Sequence, residues 1–437
     1  MERWPGATTR IVDGADLPEQ PPVGRARVLH VITRLAGGAG GNTLLSAIGM
    51  DPDRYEVWLA GGAGGRLWER AREANVHTVE IPSLGERIDP RADAAALTAL
   101  VRLMRRGSFS IVHTHSAKAG FLGRLAARLT GMPVVIHTFH SFPFHDFMSA
   151  PRRRLYLQLE RAARPLTDAF FAVSPRVARE AVELRVARPG SIRVVPSSVE
   201  LEEIPTEPDP DLRRELGLAH DRPVVGTVGR FVFQKAPLDF VRMAADVARV
   251  RPEVQFVMVG DASQESRPLE GETKAEAARL GLDIRFTGYR RDAPSVAALF
   301  DVFVISSLYE GLGRSLTEAM ASARPVVATA VNGVPDLVVP GSTGLLARPG
   351  RHEDLARCVL WLLDHPREAE EMGRQARRRV RSPAFHPATM CHLLDREYAG
   401  LLGMPPPRGG GLRVGNGSPP HEGRSAGVEA AAADVRR

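Results

Sequence analysis

ELEEIPTEPDPDL (200–212) is the stretch whose reading decides the architecture. It is acidic and proline-rich, shows neither a helical nor a strand period, and reads as a linker. On either side of it the chain alternates short apolar runs with helical stretches. Before it stand VLHVIT (28–33), YEVWLA (55–60), SIVHTH (110–115), PVVIHTF (133–139), DAFFAV (168–173) and IRVVP (192–196). After it the alternation restarts with VVGTVG (224–229), VQFVMVG (254–260), DIRFTG (283–288), VFVISS (302–307) and RPVVATA (324–330). Near-continuous β-branched runs predict strands buried on both faces, hence parallel sheets under helices. Periods such as Leu97, Leu100, Val101 and Met104 predict those helices. The fold class is therefore α/β: two Rossmann-like, doubly wound domains facing across a cleft, with ligands expected at the carboxyl ends of the strands.

Length and composition agree. At 437 residues the chain exceeds what one core organises, and 43% hydrophobic with 25% charged residues is a globular balance. Expected boundaries are 25–205 for the first domain and 206–384 for the second. Residues 1–24 and 403–437, rich in Gly, Pro, Arg and Ala, are expected to be disordered. No apolar run is long enough to span a membrane, and the first 26 residues lack the apolar core of a secretory signal. Cys358 and Cys391 have no metal-type spacing and suit burial in a protein of the reducing cytoplasm. The net charge of +7 is uneven: between Leu100 and Pro165 eleven Arg and Lys face only Asp146 and Glu160. Such a segment attracts phosphates, anionic lipid or nucleic acid, or is a set of solvated helix faces.

Several constellations carry chemistry. RLAGGAGGN (34–42) leads from strand to helix, and Gly37 and Gly38 let backbone N–H groups approach a phosphate; a plain tight turn explains the run equally. GTVGRFVFQK (226–235) sets Arg230 and Lys235 at a strand end, where two cations suit a diphosphate. YEGLGRSLTEAM (309–320) follows a strand and breaks at Gly311-Leu312-Gly313 before Arg314 and Ser315. Glu310 then falls in the loop and Glu318 in the first helical turn, whose N–H groups face an anionic phosphate. Alternatively, Ser315 and Glu318 form a capping box and Glu318 only secures the helix. Histidines cluster at 113, 115, 137, 140 and 145 without a carboxylate or Cys at ligand spacing. His140 follows its strand and can hydrogen-bond a sugar hydroxyl or a developing charge, whereas His113 and His137 read as structural. Asp51-Pro-Asp53 and Asp209-Pro-Asp211 sit in turns rather than at the end of an apolar strand. No metal site and no cofactor is therefore expected, the diphosphate being neutralised by Arg230, Lys235 and helix N-termini.

Taken together, these residues resemble the family-4 glycosyltransferases of GT-B fold. The likeness is carried by HVITRLAGGAGGN (30–42), IVHTHSAKAGFLGRLAA (111–127), HTFH (137–140), GTVGR…K (226–235), YEGLGRSLTEAMA (309–321) and GSTGLL (341–346), and covers about residues 27–400. The resemblance implies transfer from a nucleotide-diphospho-sugar, commonly a UDP-sugar, with retention of configuration. It implies that Glu318 holds the ribose, that Arg230 and Lys235 bind the diphosphate with Gly37 and Gly38 nearby, that residues 311–315 border the donor, and that Glu310 lies by its sugar. His140 would contact the sugar or the acceptor. A last helix, at 385–402, would cross back to the first domain. His115, Lys118 and Phe142 are expected on the acceptor side. Phe142, Phe144 and Phe147, beside basic helices, would meet an apolar or lipid-linked acceptor, with peripheral contact to anionic membrane at the cytoplasmic face; packing under the loop is the alternative. Glycan and natural-product acceptors fit as well. A nucleotide-sugar epimerase or a non-catalytic nucleotide-sugar binder would use the same architecture. Nucleic acid is not an expected partner, because no zinc-finger or ribonucleoprotein motif accompanies the basic segment.

Overall fold

The structure, a computed structural model, describes residues 10–12, 24–201 and 204–407. Among them the chain divides into two compact units: residues up to 198 with 385 onward, and 199–384. The boundary thus falls at 198/199, not 205/206. Val199 just before the linker and Leu201 and Ile204 within it are buried, and Arg324 donates to the Thr206 carbonyl at 2.9 Å, tying this stretch into the second unit. Both Asp-Pro-Asp pairs serve local backbone. Asp51 accepts from the Asp53 amide at 2.9 Å, and Asp209 caps the helix Pro210–Glu215.

Strands of the first unit are β1 (Arg10–Val12), β2 (Ala26–Arg34), β3 (Tyr55–Gly62), β4 (His77–Glu80), β5 (Ile111–His115), β6 (Val134–Phe139), β7 (Ala169–Ala172) and β8 (Ile192–Val194). They form one parallel sheet in the order β1-β4-β3-β2-β5-β6-β7-β8. From β2 on this is the Rossmann order, reversing direction between β2 and β5. The edge strand β1 lies inside the segment expected to be disordered; the other residues of 1–23, and those from 408 on, lie outside the described residues. Burial on both faces follows from the apolar runs. On β2, Leu29 and Val31 pack with Trp58, Leu100 and Val112, while Val28 packs on the opposite face with Ile111, Ile136 and Phe171.

That second face is covered by the helix Pro387–Leu402, whose Met390, Cys391, Leu394 and Tyr398 enter its core. Burying Met390 and Leu394 stabilises by about 1.5–3 kcal/mol each. Tyr55 donates to the Asp395 carboxylate at 2.7 Å, and Arg54 reaches it at 3.1 Å. At Gly49 a Cβ would stand 2.3 Å from Cys391 Sγ, so only glycine admits the helix this closely.

The second unit contains β9 (Val224–Val228), β10 (Gln255–Val259), β11 (Ile284–Gly288), β12 (Val302–Ile305), β13 (Val326–Thr329) and β14 (Leu345–Ala347). Their parallel order, β11-β10-β9-β12-β13-β14, is again the Rossmann order, with its reversal between β9 and β12. No helix among the described residues is long and apolar enough to cross a membrane.

Candidate active site

In the second unit the switch point between β9 and β12 gathers the charged groups. β9 runs out at Gly229, and Gly260 (φ 145°) lies so close that its Cβ would meet the Gly229 carbonyl at 1.9 Å. Beyond it, a short 3-10 turn, Phe233–Lys235, returns Lys235 toward the strand end. Its ammonium pairs with the Glu310 carboxylate, which also accepts from Ser307 Oγ at 3.0 Å. The Glu310 amide donates to Asn332 Oδ1 at 3.0 Å. Ser306 Oγ donates to the Lys235 and Ala236 carbonyls at 2.9 and 3.1 Å, and Gln234 donates to the Tyr309 carbonyl at 3.0 Å. The two strand-end loops are thereby knitted together, and Glu310, only 5% exposed, is held as a compensated carboxylate. Half-buried Arg230 has no side-chain hydrogen bond or ion pair among the described residues. It borders a shallow hollow lined by Thr227, Gly229, Lys235, Ile305 and Ser306 among others.

Next in the chain, Gly311, Leu312 and Gly313 are buried. Gly313 (φ 87°) starts the helix Arg314–Ala321, which has no side-chain cap and no acid in its first turn. Ser315 is therefore the second helical residue and Glu318 the fifth, so no capping box forms and Glu318 lies past the first turn. Instead Arg314 Nε donates to Glu318 Oε1 at 2.8 Å, an i,i+4 pair.

The first unit carries imidazoles at the corresponding place. Alternation along the strands puts His30 of β2 and His113 and His115 of β5 on one face. His30 Nδ1 lies 3.0 Å from His115 Nε2, and His115 Nδ1 lies 3.0 Å from Nε2 of His140, just past β6. His113 bonds Tyr398 Oη at 2.5 Å and Thr138 Oγ1 at 2.6 Å, and His137 bonds Thr114 Oγ1 at 2.9 Å. Burial pushes His30 to about 3 and His140 to about 4. Burial, then neighbouring imidazoles or Arg124, holds His113, His115 and His137 well below the usual histidine range. All five are neutral near pH 7. His30, His113 and His115 bring nitrogens within 4.8 Å of one another, a grouping that could hold a metal ion, with His30 supplying a member the sequence reading did not count. The hydrogen bonds just described already engage five of their six ring nitrogens, and a metal would have to break them. Gly37 (φ 66°) and Gly38 are exposed at the start of the uncapped helix Gly37–Ile48. Lys118 pairs with Asp93 at 2.6 Å and reaches the Arg87 carbonyl.

Comparison with known proteins gives the class. The family described as Glycosyltransferase Family 4 matches residues 36–203, and that described as Glycosyl transferases group 1 matches 208–379. An alpha-maltose-1-phosphate synthase of Mycolicibacterium smegmatis is 31% identical over 76% of this chain and 94% of its own length. The chain belongs to the family-4 glycosyltransferases. A second relative of this glycosyltransferase, the Escherichia coli UDP-Gal:alpha-D-GlcNAc-diphosphoundecaprenol alpha-1,3-galactosyltransferase, is 32% identical over 59% of this chain and 67% of its own. The solved structure of Anabaena Alr3699/HepE in complex with UDP and glucose superposes with a TM-score of 0.73, covering 86% of this chain and all of that one at 21% identity. The two Rossmann-like units are those of the GT-B fold.

Of the residues singled out in this glycosyltransferase, Arg230, Lys235 and Glu310 gather at one switch point. Two expectations are corrected, and one alternative falls. His115, expected to face an acceptor, is 1% exposed and lies behind His140. Phe142 and Phe144 are 3% and 5% exposed and stack under the loop with Phe139, so of the three phenylalanines only Phe147 reaches the surface. The alternative that Glu318 caps its helix falls, because it lies past the first turn. Sequence reasoning missed Ser307, Asn332, Gln234 and His30. Ser306 and Ser307 stood in the quoted run VFVISS only as a strand end, and Asn332, distant in the chain, left no signal.

Proposed function

We propose that this glycosyltransferase is a retaining enzyme that takes its sugar from a nucleotide-diphospho-sugar, a UDP-sugar by preference, without a metal ion. One observation carries the reading: unpartnered Arg230 stands beside the Lys235–Glu310 pair at the switch point of the second unit. A guanidinium there grips two diphosphate oxygens, and Lys235 divides its charge between Glu310 and the phosphates. Glu310 lies by the donor sugar and Glu318 holds the ribose. The N–H groups of Arg314 and Ser315 face the phosphates, and the exposed N–H groups of Gly37 and Gly38 suit an anion in the same way. His140 contacts the sugar or the acceptor. The acceptor hydroxyl attacks from the face the diphosphate leaves, and a diphosphate oxygen takes its proton.

Support for the donor comes from the Anabaena structures, described with UDP and glucose and with UDP-glucose, and from the UDP-Gal named for the E. coli relative. The engagement of both Asp-Pro-Asp pairs in turns supports the metal-free reading. For the acceptor, a lipid-linked glycan is favoured by exposed Phe147, Leu155 and Leu159 beside exposed Arg152 and Arg154. Two buried free cysteines fit a cytoplasmic enzyme. A thermal-shift screen of UDP-, GDP- and ADP-sugars, each with and without EDTA, tests the reading. A UDP-sugar at 100 times its Kd should stabilise by about 2.7 kcal/mol, with EDTA indifferent. Selective stabilisation by GDP- or ADP-sugars overturns the donor, and a requirement for metal overturns the mechanism.

A further inference from the structure

The imidazole chain behind His140 has a direction. His30 Nδ1, His115 Nε2, His115 Nδ1 and His140 Nε2 make two successive contacts of 3.0 Å, and the His30 and His115 rings lie within 12° of parallel. His30 and His115 are 0% and 1% exposed, and His30 Nε2 is buried with no hydrogen-bond partner. Three neutral imidazoles hold three protons, and His115 can donate only one way. Two arrangements therefore exist. In the first, every ring carries its proton on Nδ1: His30 donates to His115, His115 donates to His140, and the orphan at the buried end is a bare lone pair. In the second, every ring carries it on Nε2: His140 donates inward, and the orphan is a buried N–H. Buried N–H groups without an acceptor are the rarer case, at a cost of about 1–3 kcal/mol for an unsatisfied group.

We propose that His30 and His115 are positioning residues that lock His140 as its Nδ1–H tautomer, so that this ring offers a hydrogen-bond donor, not a base, to the sugar or acceptor. The proposal rests on the reading of His140 given above. The locked Nδ1 is the ring nitrogen of His140 without a protein partner among the described residues, and in this tautomer it is an N–H left for a ligand oxygen. Such a donor suits a sugar hydroxyl, and it leaves the diphosphate to take the acceptor's proton.

Histidine-selective 15N labelling of the full chain tests the tautomer directly. Two-bond proton–nitrogen correlation near neutral pH, with His140→Gln used to assign the signals, should show His140 protonated at Nδ1 and bare at Nε2 in the unliganded protein. An Nε2–H His140 overturns the proposal. Kinetics give a second readout. His115→Asn keeps an N–H near the Nδ1 position and so keeps the bond to His140, whereas His115→Gln places its amide near Nε2 and loses it. Asn should stay within about threefold of the native kcat and Gln should fall about tenfold, as for one lost hydrogen bond, with the donor KM unchanged in both. Equal impairment, or Gln the better of the two, overturns the positioning role. Full transfer by His140→Gln removes the reading beneath the proposal, whereas the wrong tautomer in the unliganded protein overturns the proposal and leaves that reading standing.

Discussion

The two units share a strand order and the place where it reverses, yet their strand ends present opposite chemistry. In the first, four buried histidines and half-buried His140 are held neutral and bonded to one another, to hydroxyls or to Tyr398. In the second, Lys235 pairs with Glu310 and Arg314 with Glu318, and Arg230 lines a hollow beside Lys235. Topology sets where a ligand meets the sheet; the side chains grafted there set what is recognised. Neutral donors suit hydroxyl groups, and paired charges with one free cation suit a diphosphate.

The largest expected effect is at Glu310. Glu310→Gln keeps the shape and a partner for Ser307 but removes the charge, and transfer should fall about 10²–10³-fold while calorimetry shows UDP binding within a few-fold. Full transfer would place the reacting centre elsewhere and dissolve the contrast between the units. Next comes the difference between the two cations. Arg230→Ala should weaken UDP-sugar binding about 10- to 100-fold with an unchanged melting temperature, since no protein partner is lost. Lys235→Ala should also lower stability, by about 3 kcal/mol or somewhat less given its partial exposure, because Glu310 is left buried and uncompensated. Equal melting temperatures for the two variants would break the assignment of the ion pair.

Acid sharpens the comparison from the side of the first unit. Its five histidines have folded pKa values below the unfolded value of about 6.5, so the unfolded chain gains protons first as pH falls. Their contribution is complete above about pH 6.5 and is lost as pH drops toward the lowered values, about 4 for His140 and 3 for His30. Chemical denaturation between pH 7 and 5 should show a slope approaching about 1.4 kcal/mol per pH unit for each histidine, and His30→Asn should remove one such increment. A flat profile would mean these rings are accessible to protons. Smallest is the surface effect: Leu155→Glu with Leu159→Glu should reduce co-sedimentation with anionic vesicles at low salt without altering transfer to a soluble acceptor. No sedimentation of the native protein sinks the membrane reading.

Much of this was legible beforehand. Apolar runs gave away every strand but β1, β4 and β14. Arg230, Lys235 and Glu310 were recognisable because glycines at strand ends mark backbone turned toward a ligand. The Phe142 expectation failed because an aromatic loop residue reads alike whether it faces solvent or folds beneath the loop. Glu318 was ambiguous because a capping box depends on where the helix begins, and Gly313 with its left-handed backbone moved that start.

By itself the sequence determined the α/β class, the two-unit division and the family, since these follow from period, punctuation and local motif. Only the tertiary structure decided that Lys235 neutralises Glu310, that Asn332 holds the Glu310 amide, and that His30 joins His115 and His140 in one chain. Those contacts join residues 75, 22 and 85 positions apart in the chain. Alternation shows which face of a strand a side chain takes, but the register between strands brings His30 beside His115. Register is fixed by packing over the whole sheet, which no local window of sequence contains.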